Sequence, residues 1–309
     1  MNNEKRNIWI LGATGYIGSA LVRHLAKNPK NHLHILYHKQ GNRRYLEQFN
    51  TFSGSLNFFN FDWFNRYPPD VIFHMARPAG SNFITRTLKS YLGENANQKW
   101  VNALAQLSNP PMVVYVSGSL MYGRRDAENP AAEDSELKPD AFAKYYIRNE
   151  QPWIEAQKQG ILDVRFARPG WIVGAQSWFH RFFWKHFMET GEIPCYGNHP
   201  MSVIHIDDCA AMIDALSLYG EKGQNLNVFS GDIIMHQEFC EILADMLKTE
   251  TENFSYDRVK SLYGNATADA LVSSTPMKTL YPEIHKKAWI EYNEINQILQ
   301  DVVLKLRDV

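Results

Sequence analysis

Apolar residues along this chain fall into short, nearly continuous runs, separated by stretches where they recur every three or four positions. The first run, Ile8–Leu11, ends at Gly12 and is followed by Leu21, Val22 and Leu25 at helical spacing. Later runs at Leu33–Tyr37, Leu56–Phe61, Val71–Met75, Met112–Val116 and Val164–Ala167 predict a second to a sixth strand. Helical stretches are predicted at Ser19–Lys27, Asn82–Leu107 and Ala141–Gln159, the last with Pro152 as a disturbance. Strands alternating with helices predict an α/β fold: a doubly wound parallel sheet with right-handed crossovers. Runs such as Asp70-Val71-Ile72-Phe73-His74 fit strands covered on both faces. After Arg168-Pro169-Gly170 the pattern is less regular. The expected division is therefore a core over residues 1–170 and, over 171–309, mainly a small substrate-binding lobe, with segments around 203–230 returning to the core. In an open sheet of this kind the ligand cleft is expected beyond the carboxyl ends of the strands, between sheet and lobe.

At the junction of the first strand and first helix stands Gly12-Ala13-Thr14-Gly15-Tyr16-Ile17-Gly18. Gly12 permits a tight turn, Gly15 lets backbone approach a pyrophosphate, and Gly18 lets helix pack on strand. The helix start adds free N–H groups and a partial positive charge. Small residues kept only for packing are the alternative reading. Position and flanking pattern favour dinucleotide binding, with Thr14, Tyr16 and Ile17 alongside the glycines at the phosphates.

Composition narrows the partners. With 309 residues, 45% apolar, 21% charged and a formal charge of −1, the chain gives no bulk reason to expect nucleic acid or an anionic membrane. No stretch approaches the ~18 apolar residues of a membrane span, and the N-terminus lacks a signal-peptide core. Cys195, Cys209 and Cys240 are odd in number and widely spaced. They predict neither a disulfide framework nor a zinc site, but buried thiols in a reducing cytoplasm.

Five further segments extend the pattern: Asn60-Phe61-Asp62, Asp70-Val71-Ile72-Phe73-His74-Met75-Ala76, Val116-Ser117-Gly118-Ser119-Leu120-Met121-Tyr122-Gly123, Arg168-Pro169-Gly170-Trp171-Ile172-Val173-Gly174 and Val203-Ile204-His205-Ile206-Asp207-Asp208. With the glycine turn they resemble, in order, the motifs of the extended short-chain dehydrogenase/reductase superfamily, in particular its NAD-dependent epimerases and dehydratases, over roughly residues 7–245. The resemblance implies a Rossmann-type core. It places Asp62 and Trp63 near the adenine, Met75, Ala76 and Arg77 along the cofactor, and Ser117 beside it. It also implies a homodimer joined through two helices, and a small-molecule substrate.

Members that use NAD carry an acidic residue at the end of the second strand. Here that stretch reads Tyr37-His38-Lys39-Gln40, followed by Arg43 and Arg44. A basic cluster without a carboxylate suits a 2′-phosphate, so NADP(H) is expected over NAD(H), with His38 and Arg43 as contacts. A solvated loop is the plainer alternative.

The family's chemistry uses a Ser or Thr on the fifth strand and a Tyr-x-x-x-Lys pair on one helix face. In the frame fixed by Tyr122-Gly123 and Glu150-Gln151, those positions hold Gly118, Phe142 and Tyr146. Shifting the frame to Tyr145 puts Asn149 at the lysine position and breaks the Glu150 match. Phe142 has no ionisable proton, so family-type transfer from it is excluded. One reading is a rebuilt site: Tyr146 reaching ribose or substrate, Ser119 or Ser117 donating a hydrogen bond, Lys144 or Arg148 adding charge. Another is a domain that binds its dinucleotide without redox turnover, and a third is a redox-neutral lyase or cyclase. Amphipathic packing is the plainer reading of Tyr145 and Tyr146.

The segment Ser177–Phe187 carries an apolar stripe at 179, 182, 183 and 186/187, expected as a buried helix of the lobe. The sharper alternative has Trp178, Phe182 or Trp184 lining the cleft, for a ligand more apolar than a sugar nucleotide. Met201, near the place where related sugar-nucleotide enzymes carry an arginine, points the same way. His205 with Asp207 is expected to be a structural pair and His74 a core or lining residue, and no metal site is expected.

Overall fold

The computed structural model describes residues 5–37, 45–77, 80, 83–140 and 143–308. In chain order the elements are β1 (Arg6–Leu11), α1 (Tyr16–Ala26), β2 (Asn31–Tyr37), β3 (Asn50–Ser53), α2 (Trp63–Arg66), β4 (Val71–His74), α3 (Phe83–Ala105), β5 (Met112–Val116), α4 (Ile147–Lys158) and β6 (Val164–Pro169). There follow β7 (Trp171–Val173), α5 (Lys185–Thr190), β8 (Ile193–Cys195), β9 (Pro200–His205), α6 (Ile206–Tyr219), β10 (Leu226–Val228), β11 (Ser230–Met235) and α7 (His236–Leu247). The chain ends in β12 (Thr251–Asn253), α8 (Tyr256–Tyr263), α9 (Asn265–Leu271), α10 (Pro282–Lys287) and α11 (Ile295–Arg307).

Among the described residues seven strands form one sheet in the order β10-β6-β5-β4-β1-β2-β3. Every pairing from β3 across to β6 is parallel. This is the doubly wound Rossmann-type sheet that the alternating runs predict. From β1 the chain steps outward through β2 and β3, then returns to lay β4 on the other side of β1 and continues outward to β5 and β6. The order therefore reverses between β1 and β4, and a switch point of this kind is where an open α/β sheet receives its ligand. Ile8, Trp9, Ile10, Ile72, Phe73, Val113, Val114 and Val164 are all fully buried, as strands covered on both faces require.

The third strand is displaced from its predicted place. Residues Asn50–Ser53 pair with β2, Phe52 opposite Leu36, whereas Leu56–Phe58 forms a single 3-10 turn. The apolar run misleads because its rings serve side-chain packing off the sheet: Phe59 and Phe61 lie 4.4 and 5.1 Å from Trp100 of α3. An edge strand needs only one buried face, which Phe52 supplies against Trp9 at 4.6 Å. The fourth helix also starts later than predicted. Ala143–Tyr145 is a 3-10 turn, and α4 proper runs from Ile147 through Pro152 to Lys158.

The chain divides into two compact units. Unit 1 comprises Met1–Ser117, Tyr145–Ala167 and Ala210–Leu226. Unit 2 comprises Gly118–Lys144, Arg168–Cys209 and Asn227–Val309, about half of the chain. The segment 118–144, grouped with the core by periodicity alone, belongs to unit 2 because the Glu133 carboxylate is tied there. It accepts from the Asn227 N–H at 2.9 Å, from Thr279 Oγ1 at 2.7 Å and from the Leu280 N–H at 2.8 Å.

Unit 2 is built on the sheet β11-β9-β7, the pair β12-β8 and an aromatic core. Phe179, Phe183, Tyr196 and Phe239 are fully buried in that core, with Trp178 packed against it. The Ser177–Phe187 segment is thus interior packing, a π-helical turn over His180–Trp184 leading into α5. The cleft-lining alternative for Trp178, Phe182 and Trp184 is set aside, because these rings are engaged with Trp171, Tyr263 and Phe187. Met201 is fully buried in the same core, so it gives no sign of ligand polarity.

Candidate dinucleotide site

The glycine turn sits at the carboxyl edge of the sheet, where register brings three strand ends into line. Leu11 lies opposite His74, and His74 opposite Tyr115. Gly12, Met75 and the Val116-Ser117 pair therefore follow directly on neighbouring strands. Gly12 has a φ of +94°, and a Cβ on it would stand 2.8 Å from the backbone nitrogen of Ala76. Only glycine meets both conditions. The Met75 N–H donates to the Leu11 carbonyl at 2.9 Å, which closes the turn against the end of β4.

Gly15 is the N-cap of α1 and is exposed. No side chain caps the helix there, and its first turn holds no acidic residue. The first N–H groups of an α-helix lack intrahelical acceptors and carry its positive pole. An uncapped, acid-free helix start at the switch point suits a pair of phosphates. Gly12, Thr14, Gly15, Tyr16, Ile17, Gly18, Met75 and Ala76 are thus gathered at one edge of unit 1, and they fit a dinucleotide's pyrophosphate.

Beneath this edge runs a buried polar relay. His74 Nε2 lies 2.9 Å from Asn97 Oδ1, and Asn97 Nδ2 donates to the Asn149 carbonyl at 2.8 Å, tying β4, α3 and α4 together. Complete burial lowers the His74 pKa from 6.5 to about 4, so the ring is neutral. It is packed against Tyr115 and Trp153 as a core residue. Ser117, at the end of β5, donates its hydroxyl to the buried Glu150 carboxylate on α4. Sequence spacing gave no sign of this link between residues 33 positions apart.

The remaining candidates are spread more widely. Arg77 places its guanidinium 4.3 Å from the centre of the Tyr146 ring, at the N-cap of α4. Arg148 is directed to α3 instead, 4.1 Å above the Tyr91 ring and 3.4 Å from Glu94 Oε2, so its charge is engaged there. Asp62 is exposed before α2, and Trp63 packs on Phe52 and Phe59 at 4.7 and 5.2 Å. His38, Lys39, Gln40, Arg43, Arg44 and Phe142 lie outside the described residues.

In unit 2, Ser119 is buried at the start of the 3-10 turn Ser119–Tyr122. Gly118 is extended, and a Cβ there would meet only the Pro169 carbonyl at 3.9 Å. Tyr122 donates to Asn227 Oδ1 at 2.7 Å, under the Arg168 guanidinium, so both motif residues serve to hold this unit together. His205 is a structural residue as well: Nε2 lies 2.9 Å from Asp301 Oδ2, and Nδ1 accepts the Asp207 N–H.

Among the described residues no helix is long and apolar enough to cross a membrane. No protein of curated function matches the chain significantly by sequence. Many solved structures share its fold. UDP-glucuronic acid 4-epimerase from Bacillus cereus, in complex with UDP-glucuronic acid and NAD, aligns with a TM-score of 0.77 at 16% identity, covering 97% of this chain and 99% of that one. The dTDP-glucose 4,6-dehydratase of Bacillus anthracis str. Ames, in complex with NAD, gives 0.76 at 16% identity over 98% and 96%. Human epimerase family protein SDR39U1 (isoform 2) with NADPH gives 0.74 at 16% identity over 98% and 99%. The model of one family matches residues 8–229, well over half of the chain and every segment just described from β1 to β10. With the glycine turn at the switch point and the fold in agreement, the chain belongs to the NAD dependent epimerase/dehydratase family.

Proposed function

We propose that this protein binds NADP(H) at the Gly12–Gly18 turn and acts on a small carbonyl or hydroxyl compound with an acid/base set of its own. The observation that carries the reading is the uncapped α1 N-terminus at the switch point, walled by Met75 and Ala76. Preference for the 2′-phosphate rests on His38, Lys39, Arg43 and Arg44 after β2, and on a neighbour of the same fold that carries NADPH. Bound there, the dinucleotide supplies hydride transfer. The chain's part is to hold the phosphates, exclude charge from the apolar strand ends and present hydroxyl groups. In this reading Tyr146, with Arg77 over its ring, meets the ribose or substrate, Ser119 donates to the substrate oxygen, and Ser117 stands beside the cofactor.

Two copies are proposed to pair through α3. Ile84, Leu88, Tyr91 and Leu92 recur at helical spacing on that helix and are 67, 60, 48 and 53% exposed. A cytoplasmic setting belongs to the same reading, consistent with three free cysteines.

A second reading, a dinucleotide-binding member without turnover, is favoured by Gly118, where the family hydroxyl is missing. Isothermal calorimetry with NADPH, NADP, NADH and NAD, followed by nicotinamide absorbance with small aldehydes and ketones, tests both. The proposal expects heat with NADP(H), weaker or no heat with NAD(H), turnover with at least one carbonyl class, and neither signal in Gly15→Asp. Heat without turnover selects the second reading, and no heat with any of the four nucleotides overturns both.

A further inference from the structure

Two of the three cysteines, Cys195 and Cys240, separated widely in sequence, meet in unit 2 beside His236. Cys195 ends β8, and His236 and Cys240 lie four residues apart on α7, one turn along the same face. His236 Nδ1 stands 3.5 Å from Cys240 Sγ and 3.9 Å from Cys195 Sγ, and all three ligand atoms lie within 4.8 Å of one another. All three side chains are buried. We propose that Cys195, His236 and Cys240 form a binding site for one soft divalent cation of the zinc class, independent of the dinucleotide.

Geometry and charge both support the assignment. Zn–S bonds of ~2.3 Å and Zn–N bonds of ~2.0 Å at a tetrahedral angle put nitrogen and sulfur about 3.5 Å apart, close to the spacing seen here. Two thiolates and a neutral imidazole around a divalent ion sum to zero net charge, so the loaded site suits the apolar surroundings of Phe183, Tyr196 and Phe239. Without metal the thiols donate to the carbonyls of Gly197 and Pro194, each at 3.6 Å. Loading replaces these two S–H protons by two metal–sulfur bonds, and the protons leave to solvent.

His199 neighbours the cluster through His236. Its ring is stacked on His236 at 4.7 Å between centroids, and its carbonyl accepts the His236 N–H at 2.9 Å. It is 8% exposed, and its Nε2 is buried with no protein partner. An imidazole nitrogen buried without a partner, on a ring stacked against a proposed ligand, is a polar group that packing alone does not explain.

Cobalt(II) gives a direct test on the wild-type chain. Protein prepared under reducing conditions, stripped with a chelator and titrated with CoCl2 should develop a thiolate-to-metal charge-transfer band and the intense visible absorption of a tetrahedral ion. Both should saturate at one equivalent and be bleached by one equivalent of ZnCl2. Cys240→Ser and His236→Asn should lose the signal, while Cys209→Ser keeps it. Absence of a charge-transfer band in folded wild-type protein at saturating cobalt overturns the site. So does a band that survives unchanged in Cys240→Ser. Neither readout depends on nucleotide binding or turnover.

Discussion

A Cβ placed on Gly18 would fall inside van der Waals contact of the Gly12 carbonyl oxygen, so the first and last glycines of the turn are pressed face to face. The middle glycine, Gly15, is crowded only by that same carbonyl, at 3.2 Å, and is exposed. The two kinds of position should separate in experiment. Gly18→Ala and Gly12→Ala should destabilise the fold by ~1–3 kcal/mol, read as a drop of several degrees in thermal midpoint. Gly15→Asp should leave the midpoint nearly unchanged while abolishing the calorimetric signal of NADP(H).

Gly118 is the opposite case. Its extended backbone and nearly empty surroundings accept a side chain, so Gly118→Ser should fold within ~0.5 kcal/mol of the parent in urea titration. The triple variant Gly118→Ser, Phe142→Tyr, Tyr146→Lys restores the family set. If the chain has built its own acid/base groups, the triple variant gains no turnover with generic carbonyl substrates. A gain in nicotinamide turnover would instead mark the parent as a binding member that has lost its chemistry.

Stability should fall as the pH is lowered through 6.5 toward 4. Burial holds His74 and His34 down to about 4 and His199 to about 3, against an ordinary 6.5. In that window the unfolded chain takes up protons that the folded chain refuses, so acid favours unfolding. For His74, fully buried, the loss approaches ~3 kcal/mol. Urea midpoints at pH 7.5, 6 and 5 should decline in order, and His74→Asn should show a shallower decline from a lower start.

The exposed stripe of α3 predicts a change of oligomeric state. Leu88→Glu with Leu92→Glu should convert a dimer to a monomer by light scattering without loss of helical circular dichroism. A wild-type chain that is already monomeric at high concentration would refute the pairing.

Glu133 offers a test inside unit 2. Its buried carboxylate accepts three hydrogen bonds. Glu133→Gln turns one acceptor into a donor facing a donor, which should cost ~1–3 kcal/mol in urea titration. Glu136→Gln, removing an exposed pair with Lys138, should show no measurable change.

What could be read in the sequence follows the physics of each signal. The strand–glycine–helix junction is local: positive φ demands a glycine at position 12 and close approach of the Gly12 carbonyl demands one at 18, so the turn is legible in the residues themselves. The buried central strands were legible because two covered faces demand unbroken apolar runs. The edge strand Asn50–Ser53 was not, since one buried face leaves a mixed pattern, while the rings of Phe59 and Phe61 imitate a strand. Contacts between distant residues stayed hidden: Ser117 with Glu150, Glu133 with Asn227 and Thr279, and the meeting of Cys195 with His236 and Cys240. Such pairs carry no periodicity, and only the fold brings them together.

The threading of unit 1 also bears on how this protein is made. Its sheet draws on stretches that end at Ser117, resume at Tyr145 and finish at Leu226. A ribosome must therefore deliver roughly three quarters of the polypeptide before the nucleotide-binding half can close, with much of the other half already emerged and waiting. Truncating at residue 170 would leave the sheet without β10, its last member. Refolding should proceed as one slow, long-range event rather than two quick ones.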